Sequence, residues 1–387
     1  MDWLITIVWA GLVGVLTVGL LRAAVAIGKI EALADLPASG DDWPRVSVIV
    51  AACDEGLTIE AAGRSLLDID YPALEIVMVN DRSTDETGAI IDRLAASDDR
   101  VIAVHVDELP DGWLGKLNAM QVGTEASTGD YLLYTDADVH FYDDVLRRAV
   151  RVCEDRNLGH LALLPRMHGG TFWLNAAISA FATGFLAALQ PHKIGVAGTG
   201  AYAGVGAFNM VRRADFLRTK GWSFLRMEVV DDTALAMMMV EQAGARAMLG
   251  TAGQHLGLSW YESMPAMARG LEKNGFVGLG NCSIARTLAI GIGLPAASAA
   301  FVLAPLSGSL FVTGLAAATA ALAVIAAVSY RRVGQPFVAT LFIPVVMGFI
   351  GYVLLRSMVK TLRAGGINWR GTFYSLQALR AGKRLYL

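Results

Sequence analysis

Residues 131–140 read YLLYTDADVH, and they constrain this chain more than any other stretch. Four apolar or aromatic residues, Tyr131 to Tyr134, run almost directly into Asp136 and Asp138, with no turn residue between. A short buried strand that ends on two acids aims carboxylates out of a sheet's carboxyl edge. That is the edge where open α/β sheets bind ligands. Paired hard oxygen ligands there suit Mg²⁺ or Mn²⁺, and such a metal in turn suits a diphosphate. The alternative is that the two acids only cap the next helix.

The flanking sequence supplies the sheet. Apolar, strand-like segments at 46–51, 75–79, 101–106 and 131–135 alternate with amphipathic segments at 58–67, 84–95, 117–125 and 143–154. This alternation predicts a mostly parallel, doubly wound sheet behind a polar linker over 37–44. The first strand runs into Ala52, Cys53, Asp54 and Glu55, and the second into Asn80 and Asp81. Both therefore deliver carboxylates to the edge that carries Asp136 and Asp138. Ser83 to Glu86 reads as a capping box for the second helix, which leaves Asp81 unexplained. Three acid-bearing strand ends on one edge predict a nucleotide–metal site. Between the third and fourth strands, LPDGWLGKLN (109–118) places Lys116 at a helix opening after a glycine-containing turn. A cation beside free backbone N–H groups can hold a phosphate there.

The chain is 55% hydrophobic and 17% charged, with a mean hydropathy of +0.48. That is too apolar for an ordinary soluble protein and too charged for a pure membrane bundle. Residues 3–21 form a charge-free apolar run long enough to span a bilayer. Asp2 precedes this run and Arg22 and Lys29 follow it. The positive-inside rule thus places residue 30 onward in the cytoplasm, on the inner membrane. Three more apolar runs cover 287–306, 310–330 and 336–359. Arg331 and Arg332 favour the cytoplasm, as do Arg363, Arg370, Arg380, Lys383 and Arg384. Three full crossings cannot satisfy both clusters. Either the last run, with Pro344 in its middle, is re-entrant, or the basic tail breaks the rule.

Residues 172–190 are also charge-free, yet they separate Asp138 from Asp231 and Asp232. A crossing there would split one site across the membrane, so an interfacial helix is expected instead. A second such segment is expected within 257–285. The domain plan is then a span in 1–30, a soluble domain over 44–256, a transmembrane region over 286–362 and a basic tail over 363–387. Cys53, Cys153 and Cys282 are scattered, which disfavours disulfides and zinc and fits a reducing compartment. A net charge of −3 carries no footprint for nucleic acid.

ACDE (52–55), NDRSTD (80–85), GKLNAM (115–120) and TDAD (135–138), in this order and spacing, resemble the inverting family 2 glycosyltransferases with a GT-A fold. The resemblance covers about residues 44–256. It implies a Rossmann-like cytoplasmic GT-A domain with one amino-terminal and two or three carboxyl-terminal membrane helices. The WLGK turn and the single leading span look most like the hopanoid-associated and carotenoid glycosyltransferase branch. By resemblance, Ala52, Asp54, Glu55 and Asp81 hold the uracil and ribose of a UDP-sugar. Lys116 and Asp136 face the diphosphate and sugar, and Asp138 joins Asp136 on the metal. Gly204 and Gly206 form a loop beside the acceptor. Asp232 is the general base, with Asp231 as runner-up and a helix N-cap as the structural alternative for both. His255 is a candidate third metal ligand.

The chain departs from processive polymer synthases, which carry Q-x-x-R-W after the base. Here the region reads RGLEKN (269–274), with Lys273 as the phosphate-side cation near the acceptor. The departure favours addition of one sugar to a lipid over polysaccharide synthesis. A nucleotidyltransferase would show a glycine-rich phosphate loop on its first strand, which residues 51–56 lack. A non-catalytic flippase or scaffold has no use for intact Asp81, Asp136, Asp138 and Asp232.

Overall fold

A computed structural model describes residues 3–36, 43–142, 144–188 and 193–387. Most of the expected linker, the first residue of the helix expected over 143–154, and the end of the one expected over 172–190 lie outside these residues.

Helix α1 (Trp3–Gly28) leads into β1 (Glu31–Ala32). Then follow β2 (Val46–Ala52), α2 (Ile59–Leu67), β3 (Leu74–Asp81), α3 (Thr87–Ser97), β4 (Val101–Val106) and α4 (Gly115–Ala126). The chain continues through β5 (Tyr131–Asp136), β6 (His140–Phe141), α5 (Val145–Arg156) and β7 (His160–His168). After α6 (Phe172–Ala188) come β8 (Asn209–Arg212), α7 (Asp231–Ala243), β9 (Ala247–Ser259) and α8 (Met264–Gly270). The strands form one sheet in the order β1-β9-β7-β8-β5-β2-β3-β4, with β6 paired to β9. Only β8 and β6 run antiparallel to their neighbours. The expected α/β architecture is therefore present, and its four strands lie where local pattern put them.

Val48, Ile49 and Val50 of β2, Ile76 and Val77 of β3, and Leu132 and Leu133 of β5 are all fully buried. Runs buried on both faces are what a parallel sheet covered by helices requires. β9 is long, at 13 residues. Gly253, at φ 57°, interrupts its pattern, after which Leu256 pairs with Phe141 and Leu258 with Met167.

Four helices are long and apolar enough to cross a membrane: α1, α9 (Ile284–Val302), α10 (Leu310–Tyr330) and α11 (Ile343–Ala364). Ile5, Ile7, Val8, Val15 and Val18 stand exposed on α1, a surface suited to lipid and not to water. α9 and α11 pack antiparallel through small residues, Gly291 against Leu355 and Gly348 against Pro295 and Ser298. Pro344 lies in the first turn of α11 rather than in the middle of a helix, where its fixed φ fits and no N–H is lost. Just before this helix, Gln335 Nε2 donates to the Met167 carbonyl of β7 at 2.9 Å. Beyond α11, the chain forms a hairpin, β10 (Gly366–Trp369) and β11 (Thr372–Ser375), then α12 (Leu376–Gly382). Tyr374 in that hairpin accepts the Gly115 N–H of α4 at 3.1 Å. The segments before and after α11 thus both contact the sheet domain.

Three segments pack into the body of the protein, beginning with α6. Its Ala176, Ala177, Ile178 and Ala180 are buried in a cluster with Leu16 and Leu20 of α1 and Val346, Met347 and Ile350 of α11. Its small residues permit that close approach. Within 257–285, Phe276 and Val277 are buried against the sheet domain with Trp222 and Met238. The basic tail is held to the sheet domain as well. The buried Glu228 carboxylate accepts the N–H groups of Arg384 and Leu385 at 2.7 and 2.9 Å and fastens it.

Candidate active site

Register brings the acid-bearing strand ends level. Ala51 of β2 pairs with Asp136 of β5, and Ala52 with Asn80 of β3. The chain then turns sharply at Asp54, which has φ 53°. Asp54 N–H donates to Ser83 Oγ at 3.0 Å, and Asp54 Oδ1 accepts Thr84 N–H at 2.8 Å. Glu55 N–H reaches Thr87 Oγ1 at 2.8 Å, and Gly56 N–H reaches Asp85 Oδ2 at 2.9 Å. The expected capping box is therefore corrected. α3 begins at Thr87, and Glu86 before it makes no side-chain cap. The polar groups of 83–85 are drawn instead to the unpaired backbone of 54–56, which latches two strand-end loops together.

These loops border a cavity of about 710 Å³. Of the expected site residues, Ala52, Glu55, Asp81, Lys116, Asp136, Asp138 and Lys273 line it. Asp54 does not, its carboxylate being turned to Thr84. Asp81 is buried and held by Arg82 through two bonds, of 2.8 and 3.0 Å.

Lys116, in the first turn of α4, places Nζ 2.8 Å from Asp136 Oδ1 and 3.0 Å from Asp231 Oδ2. Burial opposes its charge, but the two carboxylates outweigh burial and hold it well above the usual lysine range. Burial likewise would raise Asp136, and the ammonium reverses that and holds it low. Asp138 differs. Burial, then the like charges of Asp136 and Glu55, push it up to about 7. Asp138 has no ion-pair partner among the described residues, so this donor set of hard oxygens fits a divalent cation. Burial, with Lys116 next, depresses Lys273 to about 8.

His255 is corrected. It lies within β9 with Nδ1 3.6 Å from Asp144 Oδ1, and among the described residues no three His, Cys, Asp or Glu side chains gather as a metal site.

Behind Lys116, α7 opens with Asp231 and Asp232, neither of which lines the cavity. Val230 is its N-cap residue, and neither aspartate acts as a cap. Burial and the Asp231 charge push Asp232 up to about 6. Asn209 Nδ2 donates to the Asp232 carbonyl at 3.0 Å, and Asp232 Oδ1 accepts Thr233 N–H at 2.7 Å. The two loop glycines find a structural reason here. A Cβ on Gly204 would stand 1.9 Å from the Asp232 carbonyl oxygen, and one on Gly206 would stand 2.6 Å from Asp136 Oδ2.

Sequence reasoning missed the β10–β11 hairpin, which adds Trp369, Arg370 and Tyr374 to the cavity wall. A signal was present: Arg-Gly between two β-prone runs marks a two-residue turn. What that hairpin packs against left no local trace.

The sheet order and acid edge are those of a GT-A fold. Residues 47–217 match the family model described as Glycosyl transferase family 2, so the chain carries a family 2 glycosyltransferase domain. Over 242 residues, 61% of this chain, it is 29% identical to a beta-monoglucosyldiacylglycerol synthase of Synechocystis sp.. Over 99 residues, 25% of the chain, it is 34% identical to the probable glycosyltransferase YdaM of Bacillus subtilis. These matches span 49% and 23% of the relatives' own lengths. Among solved structures, the mannosyltransferase PcManGT from Pyrobaculum calidifontis, in complex with GDP-Man and Mn²⁺, superposes with a TM-score of 0.56 at 21% identity. That superposition covers 92% of this chain and 99% of the other.

Proposed function

We propose that the protein transfers one sugar from a nucleotide-sugar, a UDP-sugar in the first instance, to a membrane lipid hydroxyl. The transfer inverts the anomeric centre and takes place at the cytoplasmic face of the inner membrane. The observation that carries this reading is the make-up of one cavity. Strand-end acids wall one side, and Thr361 and Ala364 from the last turn of apolar α11 wall another. Trp260, also in the wall, packs on Phe181 of α6 with ring centroids 4.7 Å apart. A lipid headgroup moving along the bilayer surface can reach such a cavity without leaving the membrane. The names of the glucosyldiacylglycerol synthase relatives, and the hopanoid and carotenoid branch resemblance, support a lipid acceptor.

In this reading Asp232 takes the proton of the acceptor hydroxyl as its oxygen attacks the anomeric carbon. The bond from that carbon to the diphosphate oxygen breaks in the same displacement, and the nucleoside diphosphate leaves. Lys116 and Lys273 hold positive charge where negative charge grows on it. Asp231, already paired with Lys116, is the poorer base and positions that cation. Ala52, Glu55 and Asp81 hold the nucleoside, while Gly204 and Gly206 let their loop close on the Asp232 backbone and the Asp136 carboxylate. Mg²⁺ or Mn²⁺ on Asp136 and Asp138, when bound, supplies Lewis-acid stabilisation of the diphosphate.

The test is turnover of UDP- and GDP-sugars by the full chain in lipid nanodiscs containing a bacterial lipid extract. Nucleoside diphosphate release matched by a lipid heavier by one sugar is expected. Pyrophosphate release from a nucleoside triphosphate would identify a nucleotidyltransferase, and polymer would identify a processive synthase. No turnover with any donor would end the reading.

A further inference from the structure

The β10–β11 hairpin follows the last apolar helix, yet it touches the loops after β2 and β3 and the start of α4, all of which the donor reading uses. Its register runs from Gly366 opposite Ser375 to Trp369 opposite Thr372, and Arg370 and Gly371 form the turn. Both turn residues have positive φ, 47° and 76°, the backbone of a tight hairpin turn whose twist matches its strands. The turn residue is therefore held in place by its own backbone rather than by chance packing.

From that turn, Arg370 Nη2 forms an ion pair with Glu55, and Nη1 donates to the Asp54 carbonyl at 3.4 Å. Thr372 accepts from Arg82 Nη1 at 3.2 Å, and Tyr374 accepts the Gly115 N–H beside Lys116. Lys273 Nζ lies 3.8 Å from the centroid of the Trp369 ring. The hairpin thus bridges the loops after β2 and β3, the start of α4 and the 272–274 turn. Its far end is fixed, since Leu376 N–H donates to the Gly365 carbonyl at 2.8 Å.

The charges around the cavity are unevenly matched. Lys116 is committed to Asp136 and Asp231, and Arg82 to Asp81. Arg370 is the cation paired with Glu55 among the described residues, and its side chain is 46% exposed to the cavity and solvent. Arg370 is thus a half-exposed guanidinium on a rigid turn, held by the Glu55 carboxylate and the Asp54 carbonyl at the rim of the cavity.

We propose that the carboxyl-terminal hairpin is an outer wall of the donor site, and that Arg370 is a donor-binding residue that leaves Glu55 to pair with the diphosphate. The inference rests on the nucleotide-sugar reading above. A planar guanidinium can hold two phosphate oxygens at once, which an ammonium cannot. The hairpin reaches the site only because α11 ends beside it. The donor site is therefore completed by residues that come after the last membrane helix.

The test is equilibrium binding of UDP, GDP and uridine, with Mn²⁺ present, to the full-length protein in nanodiscs. Arg370→Gln is expected to weaken diphosphate binding about tenfold or more, with uridine affinity unchanged. Arg370→Lys should recover only part of the loss. Unchanged UDP and GDP affinity in Arg370→Gln would overturn the proposal. So would an equal loss of uridine and UDP binding, because a merely structural wall would lose both. Binding of neither diphosphate by the wild-type protein would overturn the nucleotide-sugar reading itself, and this inference with it.

Discussion

Lys116 Nζ lies 3.0 Å from Asp231 Oδ2, joining the first turn of α4 to the first turn of α7. The same ammonium sits 2.8 Å from Asp136, so one buried cation ties the acid edge of the sheet to the aspartate pair facing it. The pairing also sorts the two aspartates. Asp231 is neutralised, and Asp232 keeps a carboxylate free to accept a proton.

Removing that cation strands two carboxylates. Lys116→Met is expected to cost about 1–3 kcal/mol of stability, less than a fully buried pair because the Asp136 side chain is 40% exposed at the cavity. Adding Asp231→Asn should restore part of the stability and none of the turnover. Thermal unfolding in detergent, with activity measured alongside, checks both. If Lys116→Met melts like the wild type, the two ion pairs do not contribute to stability.

Asp232 sits at about 6, so turnover should climb as pH rises through that value. Below it the carboxyl is protonated and cannot accept the acceptor's proton; above it the base is ready. Asp232→Asn should lower turnover by about two to four orders of magnitude and flatten this limb, while donor binding stays. A limb that survives in Asp232→Asn but vanishes in Asp231→Asn would move the base by one residue.

Gly204→Ala should be severe because its Cβ would meet the Asp232 backbone, which no rotamer change can relieve. We expect turnover to fall at least about tenfold through displacement of the base. Gly206→Ala instead presses on the Asp136 carboxylate and should raise the KM for donor. Steady-state kinetics separates the two, and wild-type parameters in both would show that the loop yields freely.

Chelation should abolish turnover, and Mn²⁺ or Mg²⁺ should restore it. Asp138→Asn should raise the metal concentration needed for half-maximal activity by about 10–100-fold. Full activity after exhaustive chelation would remove the metal from the reaction.

How much of this was legible follows from how local each signal is. Strand ends were legible: apolar runs stopping at Ala52, Asp81 and Asp136 mark where a buried strand meets the sheet edge, and each is a property of a few adjacent residues. The opening of α4 at Lys116 was legible for the same reason, as were the long apolar helices. Ser83 and Glu86 misled because a capping box and a loop latch use the same residue types. The choice lay with the backbone of 54–56, which the local pattern does not contain.

By itself, then, the sequence determined the order of strands and helices, the acid-bearing edge and the apolar segments, because periodicity and strand-end chemistry are written in neighbouring residues. Only the tertiary structure decided that Lys116 meets Asp231 and that His255 sits beside Asp144 rather than with Asp136 and Asp138. It alone placed α6 against α1 and α11, and returned the tail to wall the cavity with Arg370. The physical reason is that such pairings depend on strand order, on β8 running antiparallel between β5 and β7, and on helix packing. Each of these brings together segments whose separate sequences carry no record of one another.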